Sequence, residues 1–175
     1  MHLFFIRHGE STSNYGELIT GQQDVPLTKK GLAQAIAAGQ EIVAKGIKID
    51  HMVSSSLMRA HETASIIADE IGYPADTIEI NDLVIERSFG SLEGKPKEDV
   101  GILSDEVIQQ SGGELDPAVR ARAERFLESF SGKPGTLLVV SHTGFGRRLR
   151  AVVEGVPTDH SANFKNAELI DLGEV

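Results

Sequence analysis

The chain has 175 residues, 40% hydrophobic and 25% charged, the make-up of one soluble globular domain covering 1–175. A net charge of −9 gives no support to a nucleic-acid or anionic-membrane surface, and no apolar run exceeds four residues, so nothing spans a bilayer. The absence of cysteine removes disulfides, thiolate metal sites and cysteine nucleophiles. The first residues lack the basic, apolar and small-residue succession of a signal peptide, so a cytoplasmic location is the expectation.

In chain order, residues 2–6 (HLFFI) read as a short buried strand that runs into Arg7-His8-Gly9. Between Leu27 and Gly46, the positions Leu32, Ala35, Ile36, Gly39, Ile42 and Val43 follow helical spacing, with Thr28 as N-cap. His51-Met52-Val53 is a second strand, and Ser54-Ser55-Ser56 caps a helix over 57–71, buried along Ala60, Thr63, Ala64, Ile67 and Ile71. Thr77 to Ile80 alternates like a strand, and residues 86–97 form a Gly-rich loop. Helices follow near 98–110 and 117–130, the second opened by Asp116-Pro117. Thr136 to Val140 is the clearest buried strand; it leads through Ser141-His142-Thr143-Gly144 into a helix near 145–154, and Glu168 to Leu172 is the last strand.

Strands alternating with helices predict a three-layer αβα fold around a largely parallel sheet. Such sheets bind ligands beyond the carboxyl ends of their strands. Arg7-His8 follows the first strand, Arg59 the second and His142 the fourth, so separate segments deliver cation-capable groups to one edge. Arginine offers forked, permanently charged donors to phosphate oxygens. Neighbouring cations keep an imidazole neutral, and a neutral imidazole attacks phosphorus to give a phosphohistidine. The leaving oxygen needs a proton; a carboxyl group held protonated by burial would supply it, and on chemistry alone Glu86 and Glu10 both qualify.

Arg7-His8-Gly9-Glu10 with Asn14 resembles the signature of the histidine phosphatase superfamily, in its phosphoglycerate mutase-like branch. The similarity continues through Thr20-Gly21, Asp24 to Thr28 with Gly31, SSLMRAHETA (55–64), ERSFGSLEG (86–94) and VVSHTGFGRRL (139–149), in the family's order along nearly the whole chain. The resemblance implies that His8 is the phosphorylated nucleophile and that Arg7, Arg59 and His142 hold the phosphoryl group. It makes Glu86, rather than Glu10, the proton donor, and puts Asn14, Thr20, Gly21, Arg87, Lys97 and Thr143 at the substrate. Hydrolysis by this route implies no metal and no organic cofactor. The partners it implies are a small phosphorylated metabolite and, as product, inorganic phosphate; oligomeric state is left open, a homodimer included.

Departures from the glycolytic mutases point to a phosphatase. Only 22 residues (95–116) separate Gly94 from Pro117, where those mutases carry a longer insertion with substrate arginines. Ser88-Phe89 stands in place of His-Tyr, and Thr143 in place of a glycine. A shorter cover leaves the pocket open to water, which favours hydrolysis over return of the phosphoryl group. A bisphosphate-primed mutase and a non-catalytic phosphate-binding module are the alternatives. A metal site built from His8, His142 and Glu86 is disfavoured by the adjacent arginines. Arg147 and Arg148 are expected along their helix rather than in the pocket, and Arg120, Arg122 and Arg125 on a solvated face.

Overall fold

The computed structural model describes residues 1–175. The elements are β1 (His2–Arg7), α1 (Thr12–Tyr15), α2 (Lys29–Ala44), β2 (His51–Ser54), α3 (Met58–Ile71), β3 (Glu79–Ile80), α4 (Lys97–Val100), α5 (Asp105–Gln110), α6 (Asp116–Phe130), β4 (Thr136–Ser141), α7 (Thr143–Glu154) and β5 (Leu169–Glu174). The strands form one five-stranded sheet in the order β3-β2-β4-β1-β5. Its pairs are parallel except β1 with β5, where the last strand runs antiparallel along the edge.

Successive strand residues point to opposite faces, which is why β1 and β4 are apolar without interruption: both faces are covered. Leu3, Phe5, Leu137 and Val139 pack with Val119, Phe126 and Phe130 of α6 and Phe145 and Leu149 of α7. Phe4, Ile6, Leu138 and Val140 pack on the other side with Ala38 and Ile42 of α2 and Ala64 and Ile67 of α3. This is the αβα sandwich that strand–helix alternation predicts. No helix is long and apolar enough to cross a membrane.

Three elements differ from the sequence reading. The strand expected over 77–80 shrinks to Glu79–Ile80 behind a 3₁₀ turn at Ala75–Thr77, and it is Ile78, not Ile80, that is buried. The helix expected near 98–110 is two short helices, because Gly101 has a φ of +69°, a left-handed conformation that ends α4. In α2, Thr28 caps as expected, accepting from the Gly31 N–H at 3.0 Å, but Ile36 and Val43 face solvent. The stripe on α3 instead runs through Ala35, Ala38, Gly39 and Ile42, and Gly39 lets the two helices close on Glu70 and Ile67.

Close approach also fixes the loop after β1. A Cβ at Gly31 would lie 2.1 Å from the Glu10 carbonyl oxygen, and one at Gly9 would lie 2.4 Å from the Gly31 carbonyl oxygen. The 8–10 backbone therefore rests directly on the first turn of α2. Neither partner can swing aside, since both are main chain, so Gly31→Ala should cost about 1–3 kcal/mol of stability. Urea denaturation reads this directly; an unchanged midpoint would contradict the packing.

Candidate active site

Strand register builds the site. Arg7 ends β1 opposite Ser141, the end of β4, and the ladder runs one step further through the His8 N–H to the Ser141 carbonyl at 2.9 Å. His8 and His142 thus leave adjacent parallel strands side by side, their ring centroids 5.1 Å apart. On the other flank of β4, Ser55 leaves β2 with its N–H on the Val140 carbonyl at 3.1 Å. One turn later, α3 carries Arg59 back under His8. His8, Arg59 and His142 are all buried, His142 completely. The spatial convergence expected from the sequence is what the fold produces.

The hydrogen bonds fix how His8 is presented. Its Nδ1 lies 2.7 Å from the Gly9 carbonyl oxygen, an acceptor, so Nδ1 carries the hydrogen. Its Nε2 is left with the lone pair and accepts from Arg59 Nε at 3.2 Å. Burial, then the Arg59 and Arg7 charges, push the His8 pKa well below its usual value, against an opposing pull from the Gly9 carbonyl. Burial, then the charges of Arg59, Arg7 and Arg122, do the same to His142, and protonation of either ring would oppose that of the other. Both rings are neutral bases.

The arginines of the site are bound differently from those elsewhere. Arg59 donates to the Gln23 and Gly21 carbonyls at 2.8 and 2.7 Å, Arg7 to the Phe164 carbonyl at 2.8 Å, and Arg147 to the Ala162 carbonyl at 2.7 Å. None of the three pairs with a carboxylate, whereas Arg87, Arg122 and Arg148 bridge to Asp105, Glu114 and Asp116. Neutral acceptors hold the site arginines in place without cancelling their charge. Two buried side-chain polar atoms in the chain lack a partner, Arg7 Nε and His142 Nδ1, and both belong to this site.

Glu86 sits at the amino end of α7. Its Oε1 accepts the Arg87 and Phe145 N–H groups at 2.7 and 3.0 Å, and its Oε2 accepts the Gly144 N–H at 3.0 Å. The burial expected of the Glu86 carboxyl is only partial: the group is half-buried and ringed by backbone N–H donors. Lone-pair counting leaves Oε2 as the oxygen with a free position for a proton. A Cβ at Gly144 would lie 2.3 Å from Glu86 Oε1, so a glycine at 144 is what lets the carboxylate dock. Glu10 is turned away, accepting from Thr28 Oγ1 and paired with Lys30, whose hydrogen bond lowers its pKa.

A cavity of about 270 Å³ opens above His8, lined by Arg7, Arg59, Glu86, Asn14, Thr20, Gly21, Lys97 and Thr143 among others. Arg87, expected at the substrate, is not in its wall: the guanidinium is buried the other way, against Asp105 and the Glu114 carbonyl. Arg147, expected outside, does line it, while Arg148 is buried behind on Asp116 and the Gly144 carbonyl. Arg122 is not on a solvated face; it forks onto Glu114 and donates to the Leu83 and Ile85 carbonyls, clamping the segment that delivers Glu86. His8, His142 and Glu86 do not gather as a three-ligand metal set.

Several contributors went unread in the sequence. Asn163 lines the cavity, and Asn166 donates to the His8 carbonyl at 2.9 Å. With the Ala162 and Phe164 carbonyls, they make 162–166 a wall of the site. Leu18, Ile19, Phe89 and Leu103 add an apolar side.

Comparison with known proteins agrees with this geometry. Residues 3–173 match the family model of the histidine phosphatase superfamily (branch 1), and the chain belongs to that family. A 2,3-bisphosphoglycerate-dependent phosphoglycerate mutase from Mesorhizobium japonicum is 36% identical over 166 residues, 86% of this chain and 79% of its own length. Another protein so described, from Methylobacterium sp., is 41% identical over 97 residues, which is 55% of this chain and 47% of the relative, so the chain spans about half the length of some curated relatives. Among solved structures, a proposed alpha-ribazole-5'-P phosphatase from Escherichia coli superposes with a TM-score of 0.78 at 29% identity, over 91% of this chain and 82% of that one. A mycobacterial glucosyl-3-phosphoglycerate phosphatase gives 0.83 at 22% identity, over 96% and 90%, which establishes the shared fold.

The electrostatics set a pH response. Histidines of the unfolded chain titrate near about 6.5, and those at positions 8 and 142 bind protons less readily when folded. The unfolded state therefore takes up more protons as the pH falls past that value, and these two rings cost the native fold stability there. In an NMR titration, both rings should stay neutral until well below about 6.5. A midpoint at or above that value for either would contradict the arrangement.

Proposed function

We propose that the chain hydrolyses a small phosphomonoester through a phosphohistidine on His8. The observation that carries this reading is the His8 ring: neutral, with its hydrogen committed to the Gly9 carbonyl and its Nε2 lone pair beside Arg59. In the first step, Nε2 attacks phosphorus and the bond to the alcohol oxygen breaks. Arg7, Arg59 and His142 meet the charge on the equatorial oxygens, and the leaving oxygen takes a proton from Glu86 Oε2. In the second step, Glu86 takes a proton from water, the water oxygen attacks phosphorus, the N–P bond breaks, and inorganic phosphate leaves with His8 regenerated.

Charge supports an anionic substrate. Arg7, Arg59, Lys97 and Arg147 face a single carboxylate, Glu86, around the cavity. Glu86 is uncharged while it carries the proton it donates, so a phosphoryl dianion neutralises two of these four positive charges. Asn14, Thr20, Gly21, Lys97 and Thr143 would contact the rest of the molecule. The second reading, a bisphosphate-primed mutase, is favoured by the description of the Mesorhizobium relative. The short 95–116 segment, which contributes only Lys97 and Leu103 to the wall, favours entry of water and hence hydrolysis.

A panel of phosphomonoesters, scored for phosphate release, tests the proposal, with 3-phosphoglycerate also followed for conversion to the 2-isomer. Release is expected to dominate and to vanish in His8→Ala; isomer conversion outpacing release would establish the mutase instead. Glu86→Gln should slow alkyl phosphates by about 10²–10⁴-fold, the range for a lost general acid. Aryl phosphates with good leaving groups should slow far less. Equal slowing of both would remove Glu86 from the acid role.

A further inference from the structure

Ser55 has no part in the chemistry above, yet it is completely buried against His142. Its hydroxyl oxygen accepts the Leu57 N–H at 3.2 Å and lies 2.9 Å from His142 Nε2. It does not cap α3 as the sequence predicts; the Met58 N–H at the start of that helix goes to Asp24 Oδ1 at 2.7 Å. Main-chain bonding of Ser55 to Val140 keeps this hydroxyl beside the end of β4.

A serine hydroxyl has one hydrogen and two lone pairs. Were the His142 hydrogen on Nε2, that nitrogen and the Leu57 N–H would fill both lone pairs of Oγ. The hydroxyl hydrogen would then be buried with nothing to bond, a loss of about 1–3 kcal/mol. Nδ1 would be a bare lone pair beside a phosphoryl anion. With the hydrogen on Nδ1, Ser55 Oγ–H donates to Nε2 and every group in the chain Leu57–Ser55–His142 is satisfied. The remaining Nδ1–H is then a buried donor without a protein partner. Arg7 Nε, the other unpartnered buried atom, is a donor too.

We propose that Ser55 is a positioning residue that fixes His142 as the neutral Nδ1–H tautomer, making the second histidine an uncharged hydrogen-bond donor to the phosphoryl group at His8. The two rings then share a tautomer but present opposite polarity: the Gly9 carbonyl leaves His8 with a lone pair at Nε2, and the Ser55 hydroxyl leaves His142 with a donor at Nδ1. The donor role rests on the phosphomonoesterase reading; the tautomer does not.

Long-range ¹H–¹⁵N correlation of the free wild-type protein at neutral pH tests the tautomer with no variant needed. His142 should show a protonated-type Nδ1 and an unprotonated-type Nε2; the reverse would overturn the proposal. In Ser55→Ala the ring should shift towards Nε2–H and kcat should fall about tenfold or more, with KM changing less, since the donor acts on the charge that develops in the transition state. Ser55→Thr, which keeps the hydroxyl, should restore the wild-type ring signals. A Ser55→Ala protein that keeps both the Nδ1–H signature and full kcat would also overturn it. An Nδ1–H ring in a chain that hydrolyses no phosphomonoester would uphold the tautomer and sink the enzymatic reading instead.

Discussion

Two imidazoles buried beside two guanidinium groups resist taking a positive charge of their own at neutral pH, and the chemistry proposed for this chain depends on that exclusion. It keeps a lone pair on His8 in the presence of the cations needed to attract a phosphoryl anion. Burial contributes most to the exclusion, and the Arg7 and Arg59 charges, left uncancelled by the backbone carbonyls that hold them, add to it. A carboxylate in any of those places would cancel the field that both depresses the histidines and draws the substrate. Where arginine serves the frame, as at Arg122 and Arg148, the chain supplies Glu114 and Asp116. This division explains why loops at 20–24 and 162–166 belong to the site: they bring carbonyls, which bind a cation without neutralising it.

The sheet contributes precision. Parallel pairing of β1 with β4 sets His8 beside His142, and pairing of β2 with β4 sets Ser55 beside His142. The start of α7 serves twice, since His142 is its N-cap and its first N–H groups hold Glu86. Arg148 ties that turn to Asp116 on α6, and Arg122 fixes the strand-to-loop segment ahead of Glu86. His8, His142 and Glu86, the proposed nucleophile, donor and acid, are therefore placed by one edge of the sheet. The substrate wall at 95–116 is built from short helices joined at Gly101.

Much of this was legible in the residues. Uninterrupted apolar runs at 3–6 and 137–140 marked doubly covered strands, and the cations just past their ends marked the edge to which ligands come. Glu86 could be separated from Glu10 only by resemblance; the structure separates them physically, through Thr28 and Lys30 on one and the α7 amino end on the other. Backbone acceptors such as the Ala162 and Phe164 carbonyls leave no mark in a sequence, so the 162–166 wall was invisible. Arg147 and Arg148 are about 100° apart on a helix, and choosing between them required knowing which face α7 buries. Arg87 beside Glu86 misled in the same way: adjacent loop residues point apart, and its partners Asp105 and Glu114 lie in a segment whose path the sequence did not reveal.

The most direct measurement of the central claim is rapid-quench trapping of the enzyme during turnover of a ³²P-labelled phosphomonoester, followed by peptide mapping and NMR of the labelled residue. The account predicts acid-labile phosphate on His8, bonded to Nε2, forming and decaying as fast as turnover. Label on any other residue, or turnover without a covalent intermediate, would contradict it.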